Sequence, residues 1–413
     1  MSGEFDAGAY LRQVGQRALD DPEHEAGFPP GVRVVAASRA LCAIHAIDPL
    51  DAQDIINEPL DRLVSGLGYS GGLAADLMDG PAQAQGPRPV TVRACPDELG
   101  FSTWRLYVHY AVFAQDHVGI EATAVGNLNH VRRLWPITIS DDSGDIASGR
   151  FMGGGQLGTW RGSVITDGPL SPDTEWLELA DRRVQVMPEA APAPSFSPRQ
   201  LGPKDPAERH LWLLASLFLS GMYGMHLEDH LEPAAQALVA AGALRPENAL
   251  WRELRVLAEA FETPLKGDPP PGVGEPWASL CTRWPEKANR GLMGSVALGV
   301  VSDPFDGFRV RIDGLVSHRE GFDLRVETSP GTPSDLHQAS DAKLPPVVAW
   351  WAHDDLDNYY VGTLGSGMFA RESSRGLVGY RPTLDSGAKV LELMPSGASS
   401  AVSLSVTLPS ATD

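Results

Sequence analysis

Cysteine and lysine are what this chain has least of. Three cysteines, Cys42, Cys95 and Cys281, occur in 413 residues, with no C-x-x-C pair and no even set. That excludes a disulfide scaffold and a cysteine-held zinc site, and it points to a reducing compartment. Lysine occurs 5 times against 28 arginines, and the 33 basic residues fall well short of 53 carboxylates, leaving a formal net charge of −20. The shortfall is even along the chain: residues 1–200 hold 15 basic and 26 acidic side chains, and 201–413 hold 18 and 27. Neither half offers the basic face that phosphates or anionic lipid require, so nucleic-acid and membrane-surface binding are set aside. The partner expected is another protein, neutral or basic.

A long apolar run is also missing. The longest, residues 211–225, is about 15 residues and falls short of the roughly 20 that cross a bilayer, so it reads as a buried helix. The first 25 residues are polar and acidic, without the basic start and apolar stretch of a secretory leader, and the expected location is the cytoplasm. Abundant Ala, Gly and Pro, with arginine preferred to lysine, match a high-GC bacterial gene.

What is present is ordinary globular material, 43% apolar and 21% charged, in a length that fits two to three domains. Two stretches repeat a helical pattern at an offset of 197: the one from Ala40 to Pro49 and the one from Ala237 to Pro246. Alanines at i, i+3 and i+6 make a flat face on which two helices can meet, and the proline after each is expected to stop the helix. Further on, Asp141, Asp142 and Gly149 match Asp354, Asp355 and Gly362 at an offset of 213. Gly162 matches Gly376, and Leu177, Glu178 and Leu179 match Leu391, Glu392 and Leu393, at 214. These later regions are short alternating runs broken by Gly, Asp, Asn and Pro, with no strand-helix-strand rhythm, which favours antiparallel sheet.

The expected fold is therefore α+β, a tandem duplication of a helical segment followed by an antiparallel immunoglobulin-like β-sandwich. Copy one spans 1–186 (helices about 8–80, sandwich about 88–186), and a Pro-rich linker covers 187–206. Copy two spans 207–413 (helices about 207–263, sandwich about 293–410). As extended polyproline the linker could reach ~60 Å at about 3.1 Å per residue. The apolar 211–225 stretch, whose copy-one counterpart is polar, is expected to lie buried between the halves.

Catalytic signatures are thin. Gly68, Ser70 and Gly72 fit G-x-S-x-G, which makes Ser70 the one nucleophile candidate for a serine hydrolase, but the parallel sheet that such an elbow needs is absent from the pattern. Gly153, Gly155 and Gly158 fit G-x-G-x-x-G, yet a strand follows where a phosphate-binding helix should be. His226 and His230 stand four apart on one helix face without the glutamate placement of a zinc peptidase, and a solvated face is the expectation. Asp141, Asp142 and Asp145, with Asp354, Asp355 and Asp357, could offer calcium oxygens, although the same residues are favoured in hairpin turns. No cofactor is implied.

The clearest asymmetry flanks the second acidic turn. Trp350, Trp351, Tyr359 and Tyr360 stand where copy one has Ile137, Thr138, Ile146 and Ala147. With the turn centred on Asp355 and Leu356, Trp351 is expected opposite Tyr360, in an aromatic cluster facing away from the sheet core. That cluster should meet either a helix of this chain or a partner. The reading is a non-enzymatic protein-binding or scaffold protein; the alternatives are a hydrolase using Ser70 and calcium-dependent binding through the acidic turns.

Overall fold

The computed structural model describes residues 5–20, 31–66, 86–127, 136–156, 159–188, 194–220, 227–261, 268–283, 294–318, 321–331, 342–344, 347–369 and 373–409. The chain is α+β. Three helices, α1 (Ala7–Asp20), α2 (Val32–Ala43) and α3 (Pro49–Gly66), lead into strands β1 (Thr91–Gly100), β2 (Trp104–Phe113), β3 (Val118–Gly126), β4 (Ile137–Asp141), β5 (Ile146–Gln156), β6 (Thr159–Thr166), β7 (Trp176–Leu179) and β8 (Arg182–Gln185). The short β9 (Ser197–Arg199) precedes α4 (Pro206–Leu219), α5 (Leu227–Ala240), α6 (Ala249–Phe261) and α7 (Trp277–Arg283). The second run of strands is β10 (Gly294–Val301), β11 (Arg309–His318), β12 (Gly321–Ser329), β13 (Ala349–Asp354), β14 (Tyr359–Phe369), β15 (Ser374–Arg381), β16 (Val390–Ser396) and β17 (Ala401–Thr407).

Both sheets are antiparallel and share one strand order. The first runs β1-β2-β3-β6-β5-β4-β7-β8, and the second β10-β11-β12-β15-β14-β13-β16-β17, with β9 added beyond β17. The sequence-matched positions sit at equivalent points of the two ladders. Ile139 pairs with Leu179 as Ala352 pairs with Leu393, and Gly153 pairs with Gly162 as Gly367 pairs with Gly376.

Each run of strands forms one continuous curled sheet, where the sequence suggests two facing immunoglobulin-like sheets. A strand with one buried face alternates identically whether that face meets a second sheet or the inner wall of its own, so the pattern alone does not separate the two. Curvature comes from bulges, as between Ala94 and Asp97 and between Val108 and Tyr110 in the first sheet and at Leu364/Gly367 in the second. The first sheet is barrel-like. Met187 N–H donates to Ala94 O at 2.9 Å beside the last strand, and the Arg93 guanidinium donates to the carbonyls of Pro172, Thr174 and Met187. Its core is enclosed by its own strands, around Leu106, Ile120, Val164 and Leu177. The second is a half-barrel, its far edge covered by β9, where Pro198 occupies the edge position that proline tolerates.

The helices of both segments form one layer. Alpha-2 and α5 pack against each other more extensively than any other helix pair, as expected, but through a face one turn earlier than the one expected. Ala37, Ala40, Ala234 and Ala237 are fully buried, whereas Ala43 is half-buried and Ala46, Ala240 and Ala243 are exposed, because both helices end before the later alanines can face each other. Their stops differ from expectation. The helices end at left-handed residues, His45 (φ 57) and Gly242 (φ 71), with Ala46 N–H bonding Leu41 O and Ala243 N–H bonding Leu238 O. Pro49 instead opens α3, where its missing N–H costs nothing. The layer shares a core with the outer face of the second sheet, through Trp351, Val361 and Met394. Alpha-4, capped by Asp205 accepting from Ala207 N and Glu208 N, lies on β13 and β14 with eleven of its 14 residues buried. The described part of the 211–225 stretch is thus buried, between the second sheet and helices of both segments, including α2, and residues 221–225 lie outside the described residues.

The two sheets meet along β1, β2, β10 and β11, around Tyr110, Val112 and Val316. Gly314 faces the Tyr110 ring so closely that an added Cβ would stand 2.5 Å from it. Among the described residues, no helix is long and apolar enough to cross a membrane.

Candidate functional site

Ser70 and His226 lie outside the described residues. His230, expected on a solvated face, is instead buried in α5, 3% exposed, because this face of the helix turns into the shared helical core. Of the glycine pattern starting at Gly153, Gly153 and Gly155 belong to the β5–β6 ladder and Gly158 lies outside the described residues. A Cβ on Gly153 would stand 2.2 Å from Arg161 O, so close strand approach accounts for that glycine.

The acidic turns are built alike. Asp141 N–H donates to Asp145 O and Gly144 N–H to Asp141 O, just as Asp354 N–H donates to Asn358 O and Asp357 N–H to Asp354 O. The first aspartate of each turn is buried and accepts from its own turn. Asp141 Oδ1 takes Ser143 N and Asp145 N, and Asp354 Oδ1 takes Leu356 N and Asn358 N. The second aspartate ties the turn to the next strand: Asp142 Oδ2 accepts Glu175 N at 2.7 Å, and Asp355 Oδ1 accepts Lys389 N and Val390 N. These bonds hold Asp142 and Asp355 below the usual carboxylate range. Asp145 and Asp357 are exposed, and Asp357 lies 3.4 Å from His353. Among the described residues no group of three or more His, Cys, Asp or Glu is arranged to hold a metal ion.

At the aromatic hairpin the register differs by one residue from expectation. Ala352 faces Tyr360, and Trp351 faces Val361. Asp357, left-handed at φ 63, adds a residue to the turn and shifts the pairing. Trp350 and Tyr360 therefore point into the second sheet's own core, where the Tyr360 hydroxyl donates to Asp354 Oδ2 at 2.6 Å. Burial, reinforced by that carboxylate, raises the Tyr360 phenol. Trp351 points the other way, fully buried beneath the helices, its ring 5.6 Å from Trp212 of α4 and 5.2 Å from Trp277 of α7. In the first sheet the corresponding Thr138 is exposed and Ile146 is 73% exposed, because among the described residues no helix covers them.

Tyr359 and His353, paired across β13 and β14 with rings 4.5 Å apart, line a cavity of about 360 Å³. Trp212, Trp277, Leu250 and Met394 form apolar wall, and Glu253, Glu275 and Arg199 bring charge. Glu253 Oε1 accepts Gly274 N at 2.7 Å, and Arg199 pairs with Glu392 at 3.3 Å. Burial and the nearby Glu275 raise the Tyr359 phenol. The chain order hides this site: α4, α6, α7 and the hairpin are far apart in sequence, and only the aromatic pairs at 350–351 and 359–360 signal it.

A second polar region, which sequence reasoning missed, joins the sheets. Glu121 of β3 pairs with Arg325 of β12 at 3.1 Å, and Arg325 also donates to Ser163. Arg161 of β6 lies 3.5 Å from Asp323 and bonds His318. Behind them Arg311 pairs with Asp313 at 2.6 Å and Glu327 at 2.9 Å, and Arg375 pairs with Glu327 at 3.0 Å. Burial pushes Glu121 up to about 7 against the opposing pull of Arg325 and Ser163.

No family model matches the chain, and no curated protein does. Among solved structures, a conserved domain protein from Bacillus anthracis aligns over 79% of this chain and 84% of its own, at 10% identity and a TM-score of 0.18.

Proposed function

We propose that the protein is a non-enzymatic binding or scaffold protein, and that the pocket beside Tyr359 receives a basic side chain of a partner protein. The observation that carries this reading is the combination of aromatic wall and carboxylates in one cavity of about 360 Å³. A guanidinium or ammonium is attracted both by ring faces and by Glu253 and Glu275, and the net charge of −20 favours a basic partner at longer range. Fluorescence anisotropy with labelled Arg-rich and Glu-rich peptides of equal length tests it. The Arg-rich peptide is expected to bind, at least tenfold more weakly to a Glu253→Gln/Glu275→Gln variant; equal binding of both peptides would sink the proposal.

The hydrolase alternative rests on Ser70, and labelling of that serine by a fluorophosphonate would displace the binding reading. Calcium binding through the acidic turns is disfavoured because both carboxylate oxygens of Asp141, Asp142 and Asp354, and Oδ1 of Asp355, already accept hydrogen bonds from the chain. The melting temperature is expected to be the same in calcium and in chelator.

We further infer that the two halves descend from one duplicated unit. Shared strand order, matched glycines and twin acidic turns support it. A cytoplasmic setting belongs to the same proposal, supported by three unpaired and buried cysteines.

A further inference from the structure

Between the sheets lies a cleft of about 520 Å³, within the range of small-molecule sites. Its walls include Met152, Ile165 and Leu377, and Arg325 and Arg375 reach it from the second sheet. The charges are sorted by depth. Glu121, Asp313 and Glu327 have side chains 2–4% exposed, whereas Arg325 and Arg375 are 17% and 21% exposed. Buried carboxylates thus fix the two guanidinium planes from behind while the cleft meets N–H donors. Arg375 engages Glu327 through Nε, and among the described residues its two terminal nitrogens have no partner. The carboxylate on the rim, Asp116, is committed to His117 at 2.7 Å and to Arg88 at 3.3 Å.

We propose that this cleft binds a small amphipathic carboxylate, its head group on the terminal nitrogens of Arg375 with Arg325 alongside and its apolar body between Met152, Ile165 and Leu377. A planar guanidinium whose orientation is already fixed matches a carboxylate with two parallel donors, and the aliphatic walls exclude a ligand that is charged throughout.

Calorimetric titration of the full chain with octanoate, octanol and octylammonium tests this. Octanoate is expected to bind at a single saturable site, with octanol and octylammonium at least tenfold weaker. Arg375→Gln is expected to weaken octanoate at least tenfold and Arg375→Lys less, while Tyr359→Ala, in the separate aromatic pocket, leaves it unchanged. The melting temperature of each unliganded variant is measured to establish that it folds. Octanol binding as well as octanoate, octanoate affinity intact in folded Arg375→Gln, or octanoate binding lost in folded Tyr359→Ala would each overturn the proposal.

Discussion

Single side chains in this protein carry opposite responses to pH. Burial lowers His109 to about 3 and His210 to about 4, the latter helped by Arg39, so both are neutral in the fold. Their contribution to stability is complete above the ordinary histidine value near 6.5 and is lost as pH falls toward the folded values, because only the unfolded chain takes up the protons. The expected slope is about 1.4 kcal/mol per pH unit for each. Urea midpoints between pH 7 and 4.5 check this, and His210→Leu should flatten the curve. Glu121 acts in reverse: raised to about 7, it stabilises most below its ordinary value of 4.5, and that contribution is lost as pH rises through 7. Glu121→Gln, which cannot ionise, should therefore lose less stability than the parent as pH rises from 4.5 to 7. Trp351→Ala should cost about 3–5 kcal/mol, seen as a large drop in melting temperature, because the ring fills the junction of α4, α7 and β13.

Secondary-structure elements were legible in the sequence where one local force dominates. The alanine repeats beginning at Ala40 and Ala237 mark the close helix pair, although the contact uses Ala37, Ala40, Ala234 and Ala237 and leaves Ala46, Ala240 and Ala243 exposed, and alternation marks the strands. The hairpin register was not legible, since Asp at a left-handed position leaves no glycine to mark the extra residue. The charges of Arg311, Asp313, Arg325 and Glu327 carry no local mark of their role, because alternating charged residues on a strand suit solvent as well as an interface, and only the approach of the other sheet decides between them. Turn geometry gives a paired test. Asp357→Gly relieves a left-handed side chain and should stabilise by up to about 1 kcal/mol, whereas Gly144→Ala, at φ 89, should destabilise by at least that much. Chemical denaturation of the two variants distinguishes them.

At the level of the whole molecule, repeat matches suggested two similar units and gave no indication that both helical segments gather on one sheet. That asymmetry follows from content: outward-facing Trp351 and Val361 offer the helices apolar surface, and outward-facing Thr138 does not. With α2 of the first segment packed on α4 and α5 of the second, and ion pairs joining the sheets, heating should give one transition. Calorimetry and circular dichroism at helix and strand wavelengths should report the same midpoint; two resolved midpoints would show the halves melting separately.

The connector between the halves is no free tether. Because residues 197–199 are stitched to β17, tension on the connector would first have to unzip that sheet margin. Shortening the connector should uncover backbone donors and acceptors along β17, and the resulting species would recruit a neighbouring molecule through that bare margin instead of drifting apart as two beads.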